Sequence, residues 1–216
     1  MVLGGKEART LRKLAWLLLA WALGTAAAAQ APTQAPANFQ VRLETTRGPV
    51  VIAVHRDWAP RGADRFYELV TSGYYDKARF FRVIAGRWAQ FGIAADPAVA
   101  ARWRERTFPD DPPLRPNLRG RVAFAFAVPN GRTTEVFINL RDNSGTLDRQ
   151  GFAPFGEVVE GMDVVDQFYS GYGENSGGGI RAGHQQQLFD GGAAYLAAHF
   201  PLLDAIRSAK VLPNSP

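Results

Sequence analysis

The chain has 216 residues, 46% hydrophobic and 21% charged, so it can bury a sizeable core and is not disordered by composition. It contains no cysteine, which excludes disulfides, thiolate catalysis and cysteine-bound zinc or iron–sulfur clusters. The net charge of +5 gives little support to nucleic-acid binding, because four basic residues and one acidic residue of the first 29 supply +3 of it.

The first 29 residues have the three-part order of a secretory signal peptide. Four cations lie in residues 6–13, the apolar run Leu14–Leu23 follows, and small residues end the segment at Ala29. The apolar part is shorter than the ~20 residues of a spanning helix, which favours cleavage near Ala29 over an uncleaved anchor. We therefore expect an exported protein, periplasmic or secreted, with no membrane span after cleavage. Residues 30–38 are predicted to be a flexible leader, because they are rich in Pro and Ala.

Residues 39–216 are predicted to form one mainly β domain. Phe39–Thr46 alternates apolar and polar residues, and a turn at Arg47–Gly48 leads to a second strand, Val50–Val54. Pro60 then begins a helix, where its missing N–H costs nothing, and Gly73 ends it. The other predicted strands are Arg79–Ile84, Trp88–Gly92, Arg121–Val128, Glu135–Leu140, Phe152–Val158 and a closing strand at Ser208–Leu212.

The remaining helices are predicted to be short or broken. Gly161–Phe168 favours one short helix, and Ala193–Ile206 is helical in parts with a break at Pro201. In Arg121–Val128, bulky Val and Phe side chains alternate with three alanines. The bulky face suits a barrel interior, and the alanine face would let another group approach the backbone closely. Many strands and few helices favour a barrel capped by helices.

Three segments together resemble the cyclophilin family. They are Phe80–Gly92 (FFRVIAGRWAQFG), Val122–Asn139 (VAFAFAVPNGRTTEVFIN) and Leu147–Val165 (LDRQGFAPFGEVVEGMDVV). Their order and spacing match the family over roughly Val41–Phe168, and the segment from about residue 171 looks like the C-terminal extension of some exported bacterial members.

The resemblance implies a closed eight-stranded antiparallel β-barrel, capped by two helices and followed by a partly helical C-terminal extension. It implies a peptidyl-prolyl cis-trans isomerase that binds proline-containing polypeptides in an external groove without metal or cofactor. By the resemblance, Arg82 would be the catalytic guanidinium, Gln90 would orient it, and Phe137 would line the proline pocket. The other residues implied at the groove are Trp88, Leu147, Ala125 at its floor, and Phe126, whose backbone would face the substrate.

The chain departs from the family pattern at four positions. Arg87 stands where an aromatic residue is usual, Glu135 where Gln is usual, Thr146 where some members have Trp, and Ala85 where Pro is most frequent. We expect Arg87 and Glu135 at the groove and hypothesise that Glu135 pairs with Arg82 or Arg87, which would weaken catalysis.

Two alternatives to an active isomerase remain at this point. The first is a cyclophilin-like module or chaperone that holds proline-containing segments with little turnover, favoured by Arg87 and Glu135. The second is a ligand-carrying, lipocalin-like barrel, which the bulky face of Arg121–Val128 opposes. The three histidines lack metal-ligand spacing, and we expect a monomer with no nucleic-acid partner.

Overall fold

The computed structural model describes residues 34–177 and 185–213, where eight strands and five helices are found. The strands are β1 (Asn38–Thr45), β2 (Pro49–His55), β3 (Arg82–Ile84), β4 (Trp88–Phe91), β5 (Arg121–Phe124), β6 (Val136–Asn139), β7 (Pro154–Glu160) and β8 (Ile206–Val211). The helices are α1 (Pro60–Thr71), α2 (Pro97–Arg104), α3 (Ser144–Leu147) with the 3₁₀ turn Asp148–Gln150, α4 (Met162–Asp166) and α5 (Gln186–His199). No helix within the described ranges has the length and apolar character needed to cross a bilayer.

The predicted signal segment and the first part of the leader lie outside the described residues. Of the predicted leader, Ala35 is buried, and its backbone N–H donates to Asp64 on α1 at 2.9 Å. The carbonyl of Ala37 accepts from the backbone N–H of Arg56 at 2.9 Å, and Asn38 begins β1. Residues 34–38 therefore lie along the folded domain.

The eight strands form one antiparallel sheet in the order β3-β4-β6-β5-β7-β2-β1-β8, which makes the prediction of a closed barrel wrong. No ladder joins the end strands β3 and β8. The segments before them meet at an isolated bridge between Arg79 and Ala205. β3 is only three residues long, and Ser176 donates its hydroxyl to the carbonyl of Phe81, just before β3, at 2.7 Å. The sheet is therefore an open half-barrel.

The concave face of the sheet is filled by large apolar side chains. Phe66 of α1 packs against Phe155 of β7, with ring centroids 4.9 Å apart, and Phe80 stacks on Phe168 at 4.0 Å. The fully buried rings and long aliphatic chains of this core include Tyr75, Phe81, Phe91, Phe124, Leu43, Ile52, Leu69 and Ile138. This packed interior argues against the lipocalin-like alternative, which needs an internal cavity.

The strand predicted over Arg121–Val128 is shorter than expected. β5 ends at Phe124, whose side chain enters the main core with Val122. Phe126 was expected on the same interior face but belongs to a separate apolar cluster, and Val128 is exposed. The alternation fails because the ladder to β6 ends at the Phe124–Val136 pair, after which the chain is no longer held to a period of two.

The C-terminal segment adds both a helix and a strand. α5 begins earlier than predicted and ends at His199, and its kink lies at Gly192 (φ +52°). A Cβ there would lie 2.3 Å from the carbonyl of Ala95, so glycine permits this contact. β8 pairs with β1 from Thr45–Ile206 to Val41–Val211, close to the predicted closing strand.

Candidate active site

Strand register places the three predicted catalytic side chains in one row. Arg82 on β3 lies opposite Gln90 on β4, and Gln90 lies opposite Phe137 on β6. Directly opposed residues of antiparallel strands project on the same face, with Cβ atoms about 4.5–5.5 Å apart. Arg82, Gln90 and Phe137 thus share the convex face of the sheet, away from the main core.

An apolar cluster lies beside this row on the convex face. Its members are Ala123, Ala125, Phe126, Phe137, Leu147 and Phe152, with Trp88 packed against them. The ring centroids of Phe126 and Phe152 are 4.5 Å apart, and those of Phe137 and Phe152 are 5.5 Å apart. The structure therefore brings together the side chains of Trp88, Ala125 and Leu147, which were predicted to lie at the groove. It adds the side chain of Phe126, for which only a backbone role was predicted.

Phe152 is a member of this cluster that the sequence assigned only to a strand. β7 begins two residues later, and Gly151 before Phe152 has a left-handed backbone (φ +83°) that only glycine adopts readily. This turn directs the Phe152 side chain outward rather than into the main core. In the sequence, Gly151 was the local sign that Phe152 would point away from the core.

A network of amides fixes the loop that carries Leu147. Asn143 donates to the carbonyl of Arg87 (2.9 Å) and to the side chain of Asn139 (2.8 Å). Asn139 donates to Asn117, which donates in turn to Asp148 at 2.7 Å. Because these amides are buried, each lost bond would leave a costly unsatisfied group. The network ties the Leu147 loop to the start of β4 and the end of β6.

The guanidinium of Arg82 has partners on two sides. Its Nη1 donates to Oε1 of Gln90 at 2.9 Å, and its Nε and Nη2 donate to the two carboxylate oxygens of Glu174 at 2.8 and 2.6 Å. Its Cζ lies 4.9 Å from the ring centre of Trp88. The Arg82 side chain is 15% exposed and that of Glu174 is 55% exposed. Glu174 was not predicted as a partner of Arg82, because the two residues are 92 positions apart and no sequence motif connects them.

Glu135 lies behind this row rather than against either arginine. It is buried, and its Oε2 accepts from Nε2 of Gln90 at 2.6 Å and from Nε2 of Gln185 at 3.1 Å. Among the described residues no direct ion pair joins Glu135 to Arg82 or Arg87, so the hypothesis of such a pair is wrong. Glu135 fixes Gln90 instead: since the Gln90 N–H groups face a carboxylate, its carbonyl oxygen faces Arg82.

Burial raises the pKa of the Glu135 carboxyl to about 7. The hydrogen bonds from Gln185 and Gln90 and the charges of Arg82 and Arg104 act in the opposite direction. Gly92 permits a close approach of the two backbones here, because at φ +120° its Cα lies against the backbone of Thr134 and Glu135, where a Cβ would be only 2.4 Å from the Thr134 oxygen. A titratable carboxyl therefore lies one hydrogen-bonded residue away from Arg82.

Arg87 lies at the outer rim of the site. Its Cζ is 4.6 Å from the Trp88 ring centre, on which Arg82 also packs. Arg87, Trp88, Thr146 and Leu147 line a pocket of about 240 Å³, with Arg141, Asp142, Asn143, Gly145 and Gln150. The pocket therefore extends the apolar cluster toward a polar rim. In the described part of the chain, no group of three His, Asp or Glu side chains is arranged to hold a metal ion.

Residues 40–180 match the family model described as "Cyclophilin type peptidyl-prolyl cis-trans isomerase/CLD". The chain is similar to "Peptidyl-prolyl cis-trans isomerase A" of Dickeya dadantii, with 34% identity over 66% of this chain and 77% of that protein. It is also 34% identical to "Peptidyl-prolyl cis-trans isomerase B" of Escherichia coli, over 59% of this chain and 82% of that one.

Solved structures agree on the fold. A cyclophilin-type peptidyl-prolyl cis-trans isomerase of Cryptosporidium parvum has a TM-score of 0.59 at 21% identity, covering 82% of this chain and 99% of that one. A second structure of that protein was determined in the presence of the dipeptide Ala-Pro, with a TM-score of 0.58 at 22% identity, covering 81% of this chain and 99% of that one.

Proposed function

The chain belongs to the cyclophilin-type peptidyl-prolyl cis-trans isomerase family, and from that membership we propose that Arg82 is the catalytic group for X-Pro bonds of exported polypeptides. The observation that carries the proposal is the row Arg82–Gln90–Phe137 beside an apolar cluster. The cluster offers a surface for a proline ring, and the guanidinium lies at its edge.

The chemistry required of the site is non-covalent. An X-Pro bond has a rotation barrier of ~18–20 kcal/mol and isomerises alone in ~10–100 s. In the twisted transition state the proline nitrogen loses its conjugation and becomes basic, so a cation that donates to it stabilises that state over both planar ones. Arg82 suits this role because a guanidinium stays charged and its donors are rigidly arranged.

Gln90 and Glu135 serve Arg82 by holding it in place. The chain of hydrogen bonds from Arg82 to Gln90 and from Gln90 to Glu135 fixes one edge of the guanidinium. A fixed donor needs no reorganisation when the peptide twists, which is the main advantage of a preorganised site. Phe137 and its aromatic neighbours would hold the proline ring while the preceding residue rotates.

The proposal is tested by replacing Arg82 and measuring isomerisation of a proline-containing peptide, by NMR exchange or a protease-coupled assay. Arg82→Ala should lower kcat/KM by about 10- to 150-fold, because a charge-assisted hydrogen bond of ~1.5–3 kcal/mol is lost. The kcat/KM of Arg82→Lys should lie between those of the parent and Arg82→Ala, since lysine keeps the positive charge but lacks the planar set of guanidinium donors. Arg207→Ala, an exposed arginine of β8, is the control. Full turnover in Arg82→Ala would refute the role of Arg82.

A second candidate is a peptide-binding module or chaperone with little turnover. The ion pair between Arg82 and Glu174 favours it, because a partnered guanidinium has less charge to offer a substrate nitrogen. If the protein is such a module, calorimetry should detect binding of a proline-containing peptide, while the peptide isomerises at the uncatalysed rate. Binding with clear rate acceleration would exclude it.

Export is proposed on the composition of residues 1–29. The basic start, the apolar run and the small residues before Gln30 support it. Mass spectrometry of the mature protein from a periplasmic or culture fraction should find a new N-terminus near Gln30. An intact N-terminus in the cytoplasmic fraction alone would contradict export.

A further inference from the structure

Glu174 occupies the outer edge of the Arg82 guanidinium with both of its carboxylate oxygens. A guanidinium has five N–H donors in a planar fork. Two nitrogens are engaged by Glu174 and the third by Gln90, so every nitrogen of Arg82 already has an acceptor. A substrate that approaches Arg82 therefore finds a guanidinium that is already hydrogen-bonded to Glu174 and Gln90.

We propose that Glu174 is a built-in competitor of the substrate, an autoinhibitory side chain that must leave Arg82 before the guanidinium can act on an X-Pro bond. This inference rests on the proposed role of Arg82. The carboxylate offsets the positive charge that the twisted imide nitrogen needs, and it occupies two of the five guanidinium donors. Removing the carboxylate should therefore speed catalysis rather than slow it.

The backbone around Glu174 is held on both sides. Before it, the ring of Tyr172 packs edge-on against Tyr169 at 4.9 Å and Phe200 at 5.2 Å. After it, Ser176 is buried and bonds to the carbonyl of Phe81, and a Cβ on Gly177 would lie 2.7 Å from the Phe81 ring. Glu174 is thus placed between two fixed points of the backbone, so the proposed release of Arg82 would be a movement of the Glu174 side chain.

The exposure of the two partners makes this contact reversible. Glu174 is 55% exposed while Arg82 is 15% exposed, so water can solvate the carboxylate when it leaves. Ion pairs open to solvent are weak and are screened by salt, and a bidentate geometry strengthens them only moderately. The inhibition should therefore be partial, about three- to tenfold, and should shrink as ionic strength rises.

The test compares kcat and KM of the parent, Glu174→Gln and Glu44→Gln. Glu44 also pairs with an arginine, Arg42, and is similarly exposed at 44%, but it lies on β1. We expect kcat/KM of Glu174→Gln to exceed the parent about three- to tenfold at low salt, and the gain to diminish in 0.5 M NaCl. Glu44→Gln should match the parent at each salt concentration.

A double-mutant cycle separates competition from a structural effect. In an Arg82→Ala background, Glu174→Gln should leave kcat/KM unchanged, because the group it uncovers is gone. If Glu174→Gln is as slow as or slower than the parent, Glu174 assists Arg82 or is idle, and the inference fails while the isomerase stands. If the parent and all variants isomerise at the uncatalysed rate, the proposed role of Arg82 fails as well.

Discussion

Replacing Glu135 by Gln should change how the stability of the protein depends on pH. Glu135 is fully buried, and the surrounding protein raises the pKa of its carboxyl to about 7 from an ordinary value of 4.5. Gln has nearly the same shape, so its carbonyl oxygen can still accept from Gln90 and Gln185. The substitution removes the titration and keeps most of the packing.

The sign and the magnitude follow from that pKa. The folded protein binds the Glu135 proton more tightly than the unfolded chain does, so stability from this group is fully present below pH 4.5 and is lost as the pH rises through 7. A pKa difference of about 2.5 corresponds to about 3 kcal/mol, at 1.36 kcal/mol for each tenfold change in proton affinity. Above pH 7 the parent carries the whole penalty of a buried carboxylate.

The assay is chemical denaturation of the parent and Glu135→Gln at several values between pH 5 and pH 8. The free energy of unfolding of Glu135→Gln, relative to the parent, should rise by about 2.5 kcal/mol over this range, because a small part of the change already occurs below pH 5. Comparing two pH values cancels any constant cost of the new amide group. Glu44→Gln, at an exposed position, should follow the parent throughout. Parallel curves for the parent and Glu135→Gln would refute the raised pKa.

Two further substitutions test the packing around the site. Phe152→Ala should cost about 3 kcal/mol of stability and raise KM for a proline-containing peptide; lost stability with unchanged KM would limit Phe152 to a packing role. Gly92→Ala should cost at least about 2 kcal/mol in denaturation experiments, because its Cβ would lie 2.4 Å from the Thr134 oxygen. Gly86→Ala, also at positive φ but in open space, should cost less; equal losses would show that φ alone matters.

The sequence by itself predicted most of the strands, the first helix and the row at the centre of the candidate site. Arg82 and Gln90 are eight residues apart on two strands joined by a tight turn, so their pairing is a local property of the hairpin. The start of α1 at Pro60 and the β1–β2 turn at Gly48 are equally local, because each depends on the backbone preference of a single residue.

Only the tertiary structure decided what surrounds Arg82 and whether the sheet closes. Glu174 is 92 residues from Arg82, and Gln185 is 50 residues from Glu135, so no periodicity or motif connects them. Their contacts depend on where the C-terminal segment docks, which is set by its packing on the rest of the domain. The same docking places Ser176 beside β3, which is one of the two end strands of the open sheet. Local pattern fixes strands and turns, whereas the partners of a charged side chain depend on contacts between distant segments.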